Sequence, residues 1–276
     1  MERALRQHHN VMTCGAQLND EIKKYWNLEA LNWEVTPQDI TRGNTTPLKQ
    51  VLDQLPHGWK PDFYFWLETG LSSIPTDLQE YDLPKVCYLI DTHINYEKHV
   101  DIASHFDFTF LAQKDYVEKM TDAGIKNVFW LPLACDPDIH GKVEHEKKWE
   151  VGFVGTIPET RNRRKTLLEK IGSRFNLSCE RKFMDEMAEH YSRSKIVFNN
   201  AINNDLNMRV FEALCSGSLL LTDGAIGSGL EEMFENRKHL IIYEDENIEN
   251  LIAHYLDDAK EREIIAEQGR QEDRKS

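Results

Sequence analysis

Val151-Gly152-Phe153-Val154-Gly155-Thr156-Ile157-Pro158-Glu159-Thr160-Arg161-Asn162-Arg163-Arg164-Lys165-Thr166-Leu167-Leu168 is the stretch from which the fold can be read. An uncharged apolar run of strand length ends in a glycine and a short polar loop follows. From Thr160 the apolar spacing becomes that of a helix with Arg161, Arg163, Arg164 and Lys165 in its first turns. Strand, glycine loop and helix in this order form one βα unit of a parallel sheet. The same unit suits a diphosphate, because glycine lets the backbone approach, helix-terminal N–H groups point at the ligand and arginine donates two parallel hydrogen bonds. A plain connection with a solvated basic helix face fits the stretch equally well.

Outward from this unit the pattern repeats. Apolar runs at Phe63–Leu67, Val86–Ile90, Phe106–Ala112, Val128–Leu133, Ile196–Asn199, Leu219–Thr222 and Leu240–Tyr243 alternate with amphipathic stretches. Most carry few charges, as strands covered on both faces should, so the fold class is α/β with parallel sheets. Thr46-Pro47 reads as a helix N-cap followed by proline, and Ser228-x-x-Glu231 as a capping box. The polar, non-periodic segment between Asp136 and Lys148 separates two strand signals. It divides the chain into an N-terminal domain, residues 1–137, a linker, 138–148, and a C-terminal domain, 149–276.

Net charge is −14 over 276 residues, so any phosphate ligand must meet a local cluster of arginine and lysine. The same charge disfavours a general nucleic-acid surface. The five cysteines, Cys14, Cys87, Cys135, Cys179 and Cys215, are an odd number, widely spaced and without a C-x-x-C pair. Buried reduced thiols are therefore expected rather than a disulfide framework or a zinc site, which suits a cytoplasmic protein. The opening Met1-Glu2-Arg3-Ala4-Leu5-Arg6 lacks the apolar core of a signal peptide, and no later run approaches the length of a spanning helix.

The second informative segment is Asn203-Asn204-Asp205-Leu206-Asn207-Met208-Arg209-Val210-Phe211-Glu212-Ala213-Leu214-Cys215-Ser216-Gly217-Ser218-Leu219-Leu220-Leu221-Thr222-Asp223. Phe211, Leu214 and Cys215 share a helical stripe that can pack on a sheet, which leaves Arg209 and Glu212 as neighbours on another face. Arg209 could bind phosphate while Glu212 accepts from two ribose hydroxyls. An ordinary intrahelical ion pair is the alternative.

The run Asn207–Asp223 resembles the donor-site helix and strand of the CgeB-like (spore maturation protein) glycosyltransferases, relatives of the large GT-B families. Gly227–Phe234, His239–Tyr243 and Glu261–Gly269 continue the likeness, and Tyr88–His93, Phe106–Lys114 and Trp130–Pro137 resemble the family's acceptor-side domain. The resemblance implies a GT-B fold of two Rossmann-like domains with parallel sheets. The opening residues look like the end of a first helix, so the N-terminal domain would lack its first strand, and the chain would stop short of the family's closing helices.

The implied activity is transfer of a sugar, of hexosyl type, from a nucleoside diphosphate sugar to a hydroxyl acceptor, whether glycan, lipid-linked glycan, protein or modified base. The alternative is a weak or inactive nucleotide-sugar-binding protein of the same fold. By resemblance, Gly155, Thr156, Arg161 and Arg164 contact the donor diphosphate with help from Arg209. Glu212 holds the ribose, and Asn204, Asn207 and Gly229 complete the donor set. Asn204 stands where relatives carry a glutamate that meets the donor sugar. Asp91 and His93 follow a strand end, where open α/β sheets put functional side chains, and either could serve as general base; Glu68 is a weaker candidate of the same kind. Asp136-Pro137-Asp138 is the one Asp-x-Asp and falls at the proposed linker. No metal and no cofactor are expected; the arginines would neutralise the leaving nucleotide instead.

Overall fold

The computed structural model describes residues 1–17, 19–25, 37–43, 46–68, 73–201 and 203–275. Its strands are β1 (Cys14–Gly15), β2 (Ile40–Thr41), β3 (Tyr64–Leu67), β4 (Lys85–Leu89), β5 (Phe108–Leu111), β6 (Val128–Trp130), β7 (Trp149–Val154), β8 (Leu177–Glu180), β9 (Ser194–Phe198), β10 (Leu219–Thr222) and β11 (Ile241–Ile242). The helices are α1 (Glu2–Arg6), α2 (Asp20–Tyr25), α3 (Leu48–Leu52), α4 (Thr92–Ala103), α5 (Tyr116–Asp122), α6 (Pro137–His140), α7 (Arg163–Gly172), α8 (Met184–Ser192), α9 (Met208–Cys215), α10 (Leu230–Met233), α11 (Ile248–Asp257) and α12 (Ala259–Asp273). The chain divides into two compact units, the first made of residues 1–111 and 117–130, the second of 112–116 and 131–276. The division falls between Trp130 and Leu131, ahead of the segment 138–148.

In the first unit β3-β4-β5-β6 form a four-stranded parallel sheet in chain order, with Phe65 opposite Val86 and Val86 opposite Phe108. The two-residue strands β1 and β2 pair separately, Cys14 with Ile40. Cys87, Leu89 and Leu111 are completely buried, as strands with helices on both faces require.

The second unit is a five-stranded parallel sheet in the order β11-β10-β9-β7-β8. The chain leaves β7 for β8 on one side, then crosses back to β9 on the other, so the carboxyl ends of β7 and β9 flank a topological switch point. Open α/β sheets bind ligands there. Val151, Phe153, Ile196, Phe198, Leu219, Leu221 and Ile241 form the core with Leu167, Leu168 and Ile171 of α7, Ile248, Ile252 and Tyr255 of α11, and Ile265 of α12. Seven apolar runs chosen from the sequence other than Val151–Val154 coincide with strands, and that one extends back to Trp149. The edge strand β8, with polar Ser178 and Glu180, was not among them.

Two helix starts differ from their local reading. The α3 helix begins at Leu48 with Pro47 in the cap position, and it is Asp77, distant in sequence, whose carboxylate accepts from Leu48 N (2.5 Å) and Lys49 N (3.0 Å). The α10 helix starts after Gly229 at φ 96°, a left-handed turn that glycine enters without strain, so Ser228 lies one residue too early to be the cap. Asp136 caps α6 by accepting from Asp138 N (3.0 Å), so the first carboxylate of the Asp-x-Asp is engaged at a helix start.

Candidate functional site

Gly155 ends β7 at φ 154°, and a Cβ on it would lie 2.5 Å from Arg209 Nη2. Only glycine allows the guanidinium this close to the backbone. Arg209 enters from the first turn of α9, whose cap is Asn207: the Asn207 Oδ1 accepts from Arg209 N (3.2 Å). Arg209 Nε donates to the Val154 carbonyl (2.9 Å), Nη1 donates to Asn199 Oδ1 (2.7 Å), and the guanidinium lies 4.7 Å from the Phe153 ring centre. One arginine thus joins the carboxyl ends of β7 and β9.

Glu212 follows one turn later on α9, partly buried. Among the described residues no hydrogen bond reaches its carboxylate. Burial pushes its pKa up to about 7, against the pull of Arg209. A carboxylate in that condition has spare acceptor capacity.

The basic cluster splits into separate jobs. Arg164 is 8 % exposed; its Nη1 donates to the Thr156 carbonyl and its Nη2 to the Asn200 carbonyl, both at 3.1 Å, while Nε has no partner. Burial, with Arg209 nearby, draws this guanidinium down from its ordinary value. Arg163 turns away to Asp245 (Nη2 2.7 Å) and Asp223 (Nη1 2.5 Å). Arg161 is exposed ahead of α7, and Thr156 is exposed in the loop that Arg164 holds. The helix begins at Arg163, with Asn162 as its cap accepting from Lys165 N (2.9 Å), so Arg161 precedes it.

Asn203 and Asn204 both have positive φ, 54° and 63°. The exposed Asn204 donates its side-chain amide to the carbonyl of Ile226, fastening this turn to the loop before Gly229. Asp223, Asn199 and Asn200 were not singled out from sequence. Asp223 closes β10 and accepts from Ala201 N (2.8 Å) and Asn200 Nδ2 (3.1 Å), so it clamps the strand end that carries Asn199 and Asn200. A paired amide after one strand and an aspartate after the next were the available signals.

In the first unit, Asp91 occupies the cap position of α4 at φ 58°, exposed and making no capping bond. His93 is partly buried and its Nδ1 lacks a hydrogen-bond partner. Behind them lies a network that periodicity could not reveal. Glu68 Oε2 accepts from Ile90 N (3.0 Å), Glu68 Oε1 meets His99 Nε2 (2.9 Å), and His99 Nδ1 meets Thr92 Oγ1 (3.0 Å). With a proton on Nε2, the His99 ring donates to Glu68 and its Nδ1 accepts from the Thr92 hydroxyl. His99 and Thr92 are fully buried, so Glu68, His99 and Thr92 together pin the β4–α4 turn that presents Asp91 and His93. The structure brings Gly155, Arg164, Arg209 and Glu212 together in the second unit; Asp91 and His93 belong to the first.

Residues 161–275 match the family model for glycosyl transferase-like proteins. No curated protein matches the sequence. Among solved structures, Anabaena HepE in complex with UDP-glucose is 13 % identical, with 95 % of this chain and 86 % of that one covered at a TM-score of 0.60. An alpha-glucosyltransferase in complex with UDP and a 13-mer DNA containing a HMU base is 10 % identical, with 85 % and 80 % covered and a TM-score of 0.57. TarM of S. aureus, solved with Fondaparinux, alpha-GlcNAc-glycerol and UDP, is 14 % identical, with 70 % and 48 % covered and a TM-score of 0.52. The fold is the GT-B type, with two Rossmann-like parts and parallel sheets. Among the described residues no helix is long and apolar enough to cross a membrane.

Proposed function

We propose that this chain transfers a hexosyl-type sugar from a nucleoside diphosphate sugar to a hydroxyl acceptor, and that it is a glycosyltransferase of the CgeB-like kind. The observation that carries the reading is Glu212: a carboxylate without a hydrogen-bond partner among the described residues, one turn after the arginine that bonds to the strand ends at the switch point. Two ribose hydroxyls are the donors such a group is built to receive. Gly155 and Thr156 supply the backbone approach to the diphosphate. Arg161, Arg164 and Arg209 supply positive charge that offsets the negative charge of the leaving nucleotide without a metal ion. Asn207 and Gly229 set the starts of α9 and α10. On the acceptor side Asp91 or His93 takes the hydroxyl proton, held in place by Glu68, His99 and Thr92. UDP is the first nucleotide to try, because HepE, TarM and the DNA-bound glucosyltransferase were all solved with it or its glucose conjugate. With net charge −14, a glycan, lipid-linked glycan or protein hydroxyl is favoured over a base in nucleic acid.

One observation favours a second reading, a nucleotide-sugar-binding protein with little or no turnover. Asn204 stands where relatives use a glutamate toward the sugar, and its amide is already engaged by the Ile226 carbonyl.

A thermal-shift panel of UDP, GDP, dTDP, CDP and ADP, followed by donor hydrolysis with the matching sugar nucleotides, tests both. Binding at 100 times Kd stabilises the fold by about 2.7 kcal/mol, so one nucleotide is expected to raise the melting temperature by several degrees. Slow release of that nucleotide from its sugar conjugate is expected as well. A shift without release in long incubations leaves the binding reading standing, and no shift from any nucleotide refutes both.

A further inference from the structure

Two of the five cysteines meet in space. Cys135 lies in the segment after β6, Cys215 is the last residue of α9, and Asp273 is the last residue of α12. One thiol sulfur from each cysteine and one carboxylate oxygen of Asp273 all lie within 4.8 Å of one another, and Cys135 Sγ is 3.6 Å from Asp273 Oδ2. All three residues belong to the second unit, far apart in sequence, which is why cysteine spacing predicted no such site.

The three ligand atoms lie close enough for one ion to draw them together, and the 3.6 Å between Cys135 Sγ and Asp273 Oδ2 is already a metal-ligand spacing. With metal–sulfur bonds of about 2.3 Å and a metal–oxygen bond of about 2.0 Å, tetrahedral ligands stand roughly 3.5–3.8 Å apart. The chemistry of the donors agrees. Two thiols and a carboxyl packed together repel once they ionise, and a divalent cation turns that repulsion into attraction. Thiolates select zinc-class ions over Mg2+ or Ca2+, which prefer all-oxygen sites. Arg270 and Arg274 of the same helical end interact electrostatically with Cys215, which offsets the surplus negative charge that two thiolates and a carboxylate leave around a dication. Cys215 is completely buried whereas Cys135 and Asp273 are partly exposed, so an ion can enter from their side and keep a position there for water.

We propose that Cys135, Cys215 and Asp273 bind a zinc-class divalent ion that clips the end of α12 and the segment after β6 to α9. Cys215 follows Arg209 by about 9 Å along the helix axis. The ion therefore sits at the opposite end of α9 from the arginine and steadies the helix that carries Arg209 and Glu212 rather than touching a donor diphosphate. A Cys135–Cys215 disulfide is the competing use of the same pair; it would need an external oxidant and would give Asp273 no part.

The test uses the full chain. Stripped of metal and titrated with Co2+, it is expected to bind one equivalent with the intense visible bands of tetrahedral cobalt and a thiolate-to-cobalt band in the near ultraviolet. Both bands are expected to vanish in Cys135→Ser and Cys215→Ser and to weaken and shift in Asp273→Asn. Zn2+ is expected to slow alkylation of the partly exposed Cys135 thiol at least tenfold. Cobalt bound without a thiolate band, as exposed histidines would give, overturns the proposal. So does a Cys135–Cys215 disulfide in the freshly purified protein, or alkylation at one rate with and without Zn2+. The cobalt spectrum is read on the unmodified chain, so variants that fail to fold leave the test intact.

Discussion

Glu212→Gln is expected to raise the melting temperature of the ligand-free protein at pH 8 while weakening nucleotide binding about 100-fold, the loss anticipated when a charge-assisted pair of hydrogen bonds is removed. The two effects share a cause. Burial lifts the Glu212 pKa from 4.5 to about 7, so between those values the native state binds more protons than the unfolded state. Stability therefore falls as pH rises from about 4.5 to about 7, and the penalty is complete above that window. Its size is about 3 kcal/mol at roughly 1.4 kcal/mol per unit. Glutamine keeps the shape and removes the charge, so the gain in melting temperature should be several degrees at pH 8 and small at pH 5. A ribose prefers the ionised carboxylate as acceptor, and nucleotide affinity should accordingly climb with pH up to about 7 in the native protein and lose that dependence in the variant. Differential scanning fluorimetry and isothermal titration at the two pH values measure both; unchanged affinity in the variant removes Glu212 from the ribose site.

Arg164→Ala should be the most damaging single change in the basic cluster. The side chain donates to the carbonyls of Thr156 and Asn200 from a site 8 % exposed and lies 5.6 Å from the Phe153 ring. Truncation leaves the buried Asn200 carbonyl unpaired and a gap beside the ring, at a combined cost of about 3 kcal/mol, or a fall of roughly 6–12 °C in melting temperature. The loop after Gly155 loses its anchor at the same time, so nucleotide binding should fall as well. Arg161→Ala provides the contrast, since that residue is exposed: stability should be unchanged and any loss of nucleotide affinity should appear alone. Equal melting temperatures for Arg164→Ala and the native chain would mean that the guanidinium does not hold the loop.

Local chemistry explains why much of this was legible. Apolar runs bounded by glycines and polar loops mark parallel strands because strands covered on both faces exclude charge, and Phe211, Leu214 and Cys215 mark the packed face of α9. The same helical spacing sets Arg209 and Glu212 one turn apart on α9, as read from the sequence. What was not legible depends on partners distant in sequence. The cap of α3 comes from Asp77, Arg163 pairs with Asp223 and Asp245, and His99 is held by Glu68 and Thr92. The start of α10 was misread because a serine followed by a glutamate fits a capping box, whereas the left-handed turn at Gly229 decides where the helix begins. Strand β8 escaped notice because an edge strand with alternating polar residues gives a weaker signal than a buried one.

The turn at Asp91 sets a limit on how robust this chain can be made. An aspartate held at φ 58° without a capping bond strains the backbone by about 1 kcal/mol, and Asp91→Gly would relieve it. A screen for thermal hardiness alone would therefore select glycine there and glutamine at position 212. It would harden the scaffold by discarding both carboxylates to which the proposed function gives a role, and such a screen needs turnover as a second criterion.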